Sequence, residues 1–261
     1  MNVAASRYSM PVGVPLNELT WLGHSTVVID IDGTRLVTDP VLRRRVWHLR
    51  RDAAVDVRVL GALDAILVSH AHFDHLDHAS LRCLDQSLPV VVPKGMGKLL
   101  RRWGFARVDE VAAGDELEAG GVRLRVTHAE HESSRWPLTP HSASIGYVAE
   151  GSTSVYFAGD TDLFAGMAEL GPVDVAVLPV SGWGSRLPAG HLDAMRAAEA
   201  LRLLRPRIAV PVHWVTFRTP FGSRPDDRPA REFVRAAAEA ASDVDVRILR
   251  IGETLGLEAA R

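Results

Sequence analysis

One cysteine in 261 residues, Cys83, excludes any intramolecular disulfide framework and fits a reducing cytoplasm. Neither sign of charge is in excess. With 30 basic and 32 acidic side chains the formal net charge is −2, so nothing points to an overall affinity for nucleic acid or for an anionic surface. No apolar run approaches membrane-spanning length, and the N-terminus lacks the long apolar stretch of a secretion signal. Low-complexity tracts, linkers and internal repeats are missing as well. The expectation is a soluble cytoplasmic protein with at most peripheral membrane contact. At 47% hydrophobic residues the chain has apolar material for a sizeable core.

Against that plain background stands Ser69-His70-Ala71-His72-Phe73-Asp74-His75-Leu76-Asp77, which follows the apolar run Ala65-Ile66-Leu67-Val68, read as a buried strand. Three imidazoles and two carboxylates at a strand end supply the nitrogen and oxygen donors that zinc, manganese or iron take. One ion would not use them all comfortably, whereas two side by side would, and a two-metal site that activates water is hydrolytic apparatus. A histidine-rich surface loop is the bland alternative. What weighs against it is a set of further donors at the ends of other predicted strands: His131 after Val122–Thr127, Asp160 after Ser154–Gly159, and His213 after Ile208–Val212. Each alone reads as a core histidine or a turn aspartate; together they complete a ligand set.

The succession His70-x-His72-x-Asp74-His75, His131, Gly159-Asp160-Thr161 and Pro211-Val212-His213-Trp214 resembles the metallo-β-lactamase-fold hydrolases. More narrowly, it is similar to the branch containing N-acyl-phosphatidylethanolamine phospholipase D and L-ascorbate-6-phosphate lactonase. Trp21-Leu22-Gly23-His24-Ser25-Thr26, Thr38-Asp39-Pro40 and His191-Leu192-Asp193 extend the likeness over about Leu19 to Phe217. The resemblance implies that His70, His72 and His131 hold one metal, that Asp74, His75 and His213 hold the other, and that Asp160 bridges them. A hydroxide between the metals would be the nucleophile. A carboxylate can span two cations with its two oxygens, and neutral imidazoles keep the site Lewis acidic.

Asp74 and Asp160 therefore count as catalytic residues as well as ligands, and His191 is the third. His191 precedes a predicted helix, Leu192 to Leu204, on which Met195, Ala198, Leu201 and Leu204 recur at helical spacing. In the resembling family this histidine faces the substrate, which suits donation of a proton to a leaving group or a hydrogen bond to a developing oxyanion; a capping histidine is the plain alternative. His24 and Asp39 read as partners that orient ligating histidines from behind.

Two departures from the branch's usual wording bear on substrate rather than on catalysis. Val215 stands in His213-Trp214-Val215-Thr216-Phe217 where relatives tend to have glycine, so the pocket beside the ligand is expected to be narrower. Asp162 follows Thr161 where phospholipase relatives tend to have glycine.

Arg43-Arg44-Arg45-Val46-Trp47-His48-Leu49-Arg50-Arg51 is the sharpest local charge feature. Arginine forks match phosphate and an interleaved tryptophan suits stacking or an interface, with a solvated loop as the ordinary reading. Trp136, Trp183 and Trp214 adjoin the site loops and are candidates to wall a groove. Cys83 falls in a predicted helix, His78 to Leu84, where a buried structural thiol is expected.

Strands are expected within Leu19 to Asp30, at Arg35 to Thr38, Ala65 to Val68 and Pro89 to Val92, and near Val108, Val122, Ser144 and Val155. Helix and strand then alternate: Leu163 to Glu169, Val173 to Pro179, Leu192 to Leu204, Ile208 to Val212, Ala230 to Ala241 and Val246 to Ile251. This order argues for one α/β (α+β) domain over residues 1–261, a four-layer αββα sandwich with metal-bearing loops along one edge.

The function expected is that of a dinuclear metal-dependent hydrolase, its metal ions Zn2+ with Mn2+ or Fe as alternatives, acting on a phosphodiester or phosphorylated small molecule. A lactonase or other cyclic-ester hydrolase is the alternative. A nuclease is less expected because the charge is near neutral and no appended arm is evident, and a non-catalytic metal-binding protein is the remaining reading.

Overall fold

The computed structural model describes residues 17–132, 142–181, 187–219 and 226–257. Trp136 and Trp183 lie outside them. In chain order the strands are β1 (Glu18–Gly23), β2 (Thr26–Ile31), β3 (Thr34–Thr38), β4 (Arg45–Val46), β5 (Leu49–Arg50), β6 (Ala65–Leu67), β7 (Pro89–Pro93) and β8 (Arg107–Val111). They continue with β9 (Glu116–Ala119), β10 (Val122–His128), β11 (Ile145–Glu150), β12 (Ser154–Phe157), β13 (Val175–Pro179), β14 (Ile208–Val212), β15 (Asp245–Val246) and β16 (Glu253–Gly256). The helices are α1 (His78–Leu81), α2 (Gly97–Arg102), α3 (Ala194–Leu204) and α4 (Arg228–Ala240).

Two mixed sheets of seven strands each carry the fold, in the orders β16-β1-β2-β3-β6-β7-β8 and β15-β14-β13-β12-β11-β10-β9. Alternation of side chains along the strands decides which layer each residue joins. On β2, Val27, Ile29 and Ile31 enter the core between the sheets, while Val28 points the other way, into a second core capped by Leu81 of α1 and Leu100 of α2. On β6 and β7 the same split puts Leu67 and Val91 inside and Ile66, Val90 and Val92 under the helices. Strands β12 to β15 run parallel, and β13 and β14 are buried along their whole length, as sheets covered on both faces are. Helices α3 and α4 cover that face with Ala197, Ala198, Leu201 and Leu204 of one and Ala230, Phe233 and Ala237 of the other. The αββα sandwich expected from the pattern is the one observed.

Several local expectations change. The helix expected at His78 to Leu84 stops at Leu81, so Cys83 is exposed rather than buried, its Sγ donating only to the Ala79 carbonyl at 3.3 Å. Helix α3 starts at Ala194, its N-cap Asp193 accepting from the Arg196 amide at 2.8 Å. On that helix Met195 falls one residue off the buried stripe and is 64% exposed. Leu163 to Glu169 forms a 3₁₀ turn at Ala165–Glu169 instead of an α-helix. Of the strand expected at Val246 to Ile251 only Val246 lies in a ladder, in β15; the chain then turns, and β16, which the pattern does not predict, pairs antiparallel with β1 in the other sheet. Among the described residues no helix is long and apolar enough to cross a membrane.

Candidate metal centre

Every candidate donor sits just past a strand end, on the edge where the two sheets meet. The sheets are joined there by backbone bonds: the His213 amide donates to the His24 carbonyl at 3.1 Å, and the Ile145 amide to the Ser69 carbonyl at 3.0 Å. Trp214 lies on Trp21 across the same seam, with ring centroids 5.1 Å apart. Tight turns aim the side chains. His24, Asp39, His213 and Val215 all have φ between +36° and +63°, a left-handed region that residues with a Cβ rarely adopt, and such outliers concentrate at functional sites. Gly159 at φ +63° turns the chain from β12 into Asp160, and a Cβ there would lie 2.7 Å from Ser69 Cβ.

The structure brings all seven expected ligands together in two adjoining groups. His70, His72, His131 and Asp160 form one, and His24, Asp74, His75 and His213 the other, each with donor atoms within 4.8 Å of one another. Asp160 lies between them, its Oδ2 3.3 Å from His75 Nε2 and 4.0 Å from His70 Nε2, its Oδ1 3.3 Å from His213 Nε2. His24, expected behind the ligands, places Nε2 3.1 Å from Asp74 Oδ2, the contact of a partner that orients a ligand, while its ring also falls within the second donor group. The Trp21–Thr26 segment marked it in the sequence; only the turn at Gly23 and His24 shows how close it comes.

Four of the imidazoles are held by the back nitrogen, which leaves Nε2 facing the centre. Nδ1 of His70 meets Ser69 Oγ at 2.9 Å, that of His75 meets Asp39 Oδ2 at 2.8 Å, that of His131 the Gly190 carbonyl at 2.8 Å, and that of His213 the Ser181 carbonyl at 2.7 Å. Such outer bonds fix tautomer and ring orientation in metal sites. His72 is turned the other way and offers Nδ1, 3.2 Å from His131 Nε2. Asp39, read from sequence as an outer partner, also accepts from the Ser69 amide at 2.7 Å and hydroxyl at 2.6 Å.

Electrostatics in the cluster divide by neighbour. Burial drives His24 down to about 3, with the nearby His213 adding to the effect, and burial likewise lowers His70 and His131. Those rings are neutral near pH 7, as ligation requires. Burial also opposes charge on His75, but Asp160, Asp39 and Asp74 outweigh it and raise the ring well above the ordinary histidine value. Asp160 and Asp74 are held well below the usual carboxylate range: burial works against this, and His213, His75 and His191 overcome it at Asp160, His24 and His75 at Asp74.

The donors fit divalent ions. Nε2 of His70, Nε2 of His75 and Oδ1 of Asp160 are fully buried with no well-directed hydrogen bond, an arrangement that costs stability unless something else satisfies them. An all-nitrogen-and-oxygen set suits zinc, manganese or iron. His191, 7% exposed, points Nε2 at Asp160 Oδ2 from 3.4 Å, just ahead of the α3 cap.

A profile of the beta-lactamase superfamily domain matches residues 34–214, which include the whole donor set except His24. The chain belongs to this superfamily. A metal-dependent hydrolase of Methanopyrus kandleri is 32% identical over 243 residues, 90% of this chain and 98% of the relative. The solved structure of a metallo hydrolase from Ignicoccus hospitalis superposes with a TM-score of 0.73 at 27% identity, covering 93% of this chain and 98% of the other. An N-acyl-phosphatidylethanolamine-hydrolyzing phospholipase D of Caenorhabditis elegans is 28% identical over 254 residues, 86% of this chain and 70% of its own. The protein is a metallo-β-lactamase-fold hydrolase.

Beside the centre, Val215 lines a cavity of about 370 Å³ together with Leu22, Arg51, Val55, Val59 and Ile251. The Arg51 guanidinium is buried there, donating to the Leu22 and Val41 carbonyls at 2.6 and 3.1 Å and lying 5.9 Å over the Phe217 ring. Burial lowers its pKa to about 10, which leaves it a cation at neutral pH.

Proposed function

We propose that this hydrolase is dinuclear and cleaves phosphodiesters in a phospholipase D-like reaction. His70, His72 and His131 would hold one divalent ion, Asp74, His75 and His213 the other, with Asp160 shared. Zinc is the expected metal. The observation that carries the reading is the position of Asp160: one carboxylate reaches ring nitrogens of both groups and His191 as well. Divalent ions bound there supply Lewis acidity and an activated water.

The chain's own groups do the rest. Asp39, Ser69, Gly190 and Ser181 lock the ligating rings, so the reacting geometry is set before substrate arrives. Burial of every donor but the half-buried His131 limits the access of bulk water to them. His191 Nε2 faces the same space and is placed to give a proton to the leaving oxygen. A phosphodiester substrate is supported by the likeness to the nematode phospholipase along 86% of this chain.

The test is hydrolysis of a chromogenic phosphodiester and a simple lactone by zinc- or manganese-loaded protein, beside Asp160→Asn and His191→Ala. Diester turnover that Asp160→Asn abolishes and His191→Ala slows by about 100-fold is the expected result. Turnover of the lactone alone would move the assignment to cyclic esters. Full activity in Asp160→Asn would remove the shared carboxylate from the mechanism.

A further inference from the structure

We propose that the β4–β5 hairpin docks this protein onto an anionic lipid bilayer, with Trp47 entering the interface and Arg44, Arg45 and Arg50 facing the headgroup phosphates. The hairpin shows its two sides by alternation: Val46 and Leu49 are buried with Val41, Phe217 and Phe73, while Arg44, Arg45, Trp47 and Arg50 are exposed. Trp47 is 62% exposed at the tip, and its φ of +49° holds a bulky side chain in a backbone conformation that favours glycine. The hairpin thus keeps its largest apolar side chain outside, where burial would be the favoured place for it.

Charge complementarity names the occupant. Of the hairpin arginines outside the core, Arg43 is neutralised by a two-pronged pair with Asp77 at 2.6 and 2.8 Å. Arg44, Arg45 and Arg50 form no ion pair with any described residue, and no carboxylate lies within 43–51. An aromatic tip ringed by guanidinium groups that meet no carboxylate among the described residues matches the amphipathic boundary of a bilayer with anionic lipid. It fits a flat polar surface better than a small anion, which would leave Trp47 in water.

The position also connects the hairpin to the site. Trp47 stands 5.9 Å from the ring of Phe73, the residue between His72 and Asp74. On its other edge Arg50 pairs backbone to backbone with Arg218, just beyond the His213 loop, at 3.1 and 2.9 Å. Docking here would bring the donor-bearing loops to the membrane surface. The binding stands apart from the reaction; only delivery of a lipid phosphodiester to the centre rests on the function proposed above.

Sedimentation with vesicles of phosphatidylcholine alone, and of phosphatidylcholine mixed with phosphatidylglycerol, tests it on the full chain. The expected result is binding to the anionic vesicles only, weakening as salt is raised. The Arg44→Gln/Arg45→Gln/Arg50→Gln variant should lose about 100-fold in partitioning and Trp47→Ala about tenfold. Quenching of fluorescence by brominated lipid should vanish in Trp47→Phe, whose fold the exposed position leaves intact. Equal binding to both vesicle types, or partitioning that neither variant changes, would overturn the proposal. Turnover of a soluble diester separates the two readings: cleavage without vesicle binding sinks the docking surface alone, and vesicle binding without cleavage sinks the reaction alone.

Discussion

Asp39 Oδ2 lies 2.8 Å from Nδ1 of His75, and both side chains are wholly buried. The bond makes Nδ1 the protonated nitrogen of the ring and turns Nε2 toward Asp160. Because the same carboxylate also binds Ser69, whose hydroxyl supports His70, one residue orients candidate donors in both groups. Asp39→Asn keeps the shape and removes the charge, so metal affinity should fall by about 10- to 100-fold. Competition with a chromophoric chelator measures this, and an unchanged affinity would reduce Asp39 to a structural turn residue.

The glycine of Gly159-Asp160-Thr161 has a double reason to be there. Its φ of +63° is a conformation that residues with a Cβ rarely adopt, and a Cβ there would lie 2.7 Å from Ser69 Cβ and 3.1 Å from the Ile145 carbonyl oxygen. Ser69 cannot withdraw without loosening its bonds to Asp39. Gly159→Ala should therefore lower unfolding stability by roughly 2–4 kcal/mol and weaken metal binding along with it. A thermal melt and a metal titration on the same sample check both, and a variant as stable as the parent would show that the loop yields freely.

Why the centre was legible in the sequence while its surroundings were not follows from where the information sits. His70, His131, Asp160 and His213 each end a short, strongly patterned strand, so local spacing places them on one edge of the sheets. The sequence marks His24 as an outer partner but not whose, because its approach to Asp74 depends on a left-handed turn and on pairing with distant chain, neither of which spacing reveals. Cys83 was misplaced because α1 lasts one turn, too short for periodicity to show its end. The last strand, β16, was missed because its neighbour β1 is more than two hundred residues away and its burial alternates weakly.

Tyr147 and Tyr156 are both buried to 1% exposure or less, and burial pushes both phenols above the ordinary tyrosine value. Tyr147 donates its hydroxyl hydrogen to the Val68 carbonyl at 2.7 Å, across the two sheets. The folded state thus favours the neutral phenols, so their share of stability is complete below the unfolded value of 10.0 and is lost as pH rises above it. Each buried phenol removes about 1.4 kcal/mol per pH unit in that range. Alkaline titration should show two of the three tyrosines ionising only together with loss of the far-ultraviolet dichroism. Smooth ionisation of all three in a still-folded protein would contradict the burial.

At Val215, where the resemblance leads one to expect glycine, the backbone shows what a β-branched residue entails. Its φ of +55° is the conformation glycine would adopt freely, and a β-branched side chain held there costs about 1–2 kcal/mol. The side chain is only half-buried at the wall of the 370 Å³ cavity, so its packing offsets little more than that strain. Val215→Gly should consequently change the unfolding free energy by less than about 1 kcal/mol, where the same change in a relaxed strand would cost well over that. The cavity should widen, and turnover of bulkier diesters should gain relative to small ones. Denaturant unfolding and a substrate-size series test the two halves separately. A loss above about 2 kcal/mol would mean that packing of Val215 outweighs its strain, and an unaltered size preference would mean that the cavity lies off the substrate's path.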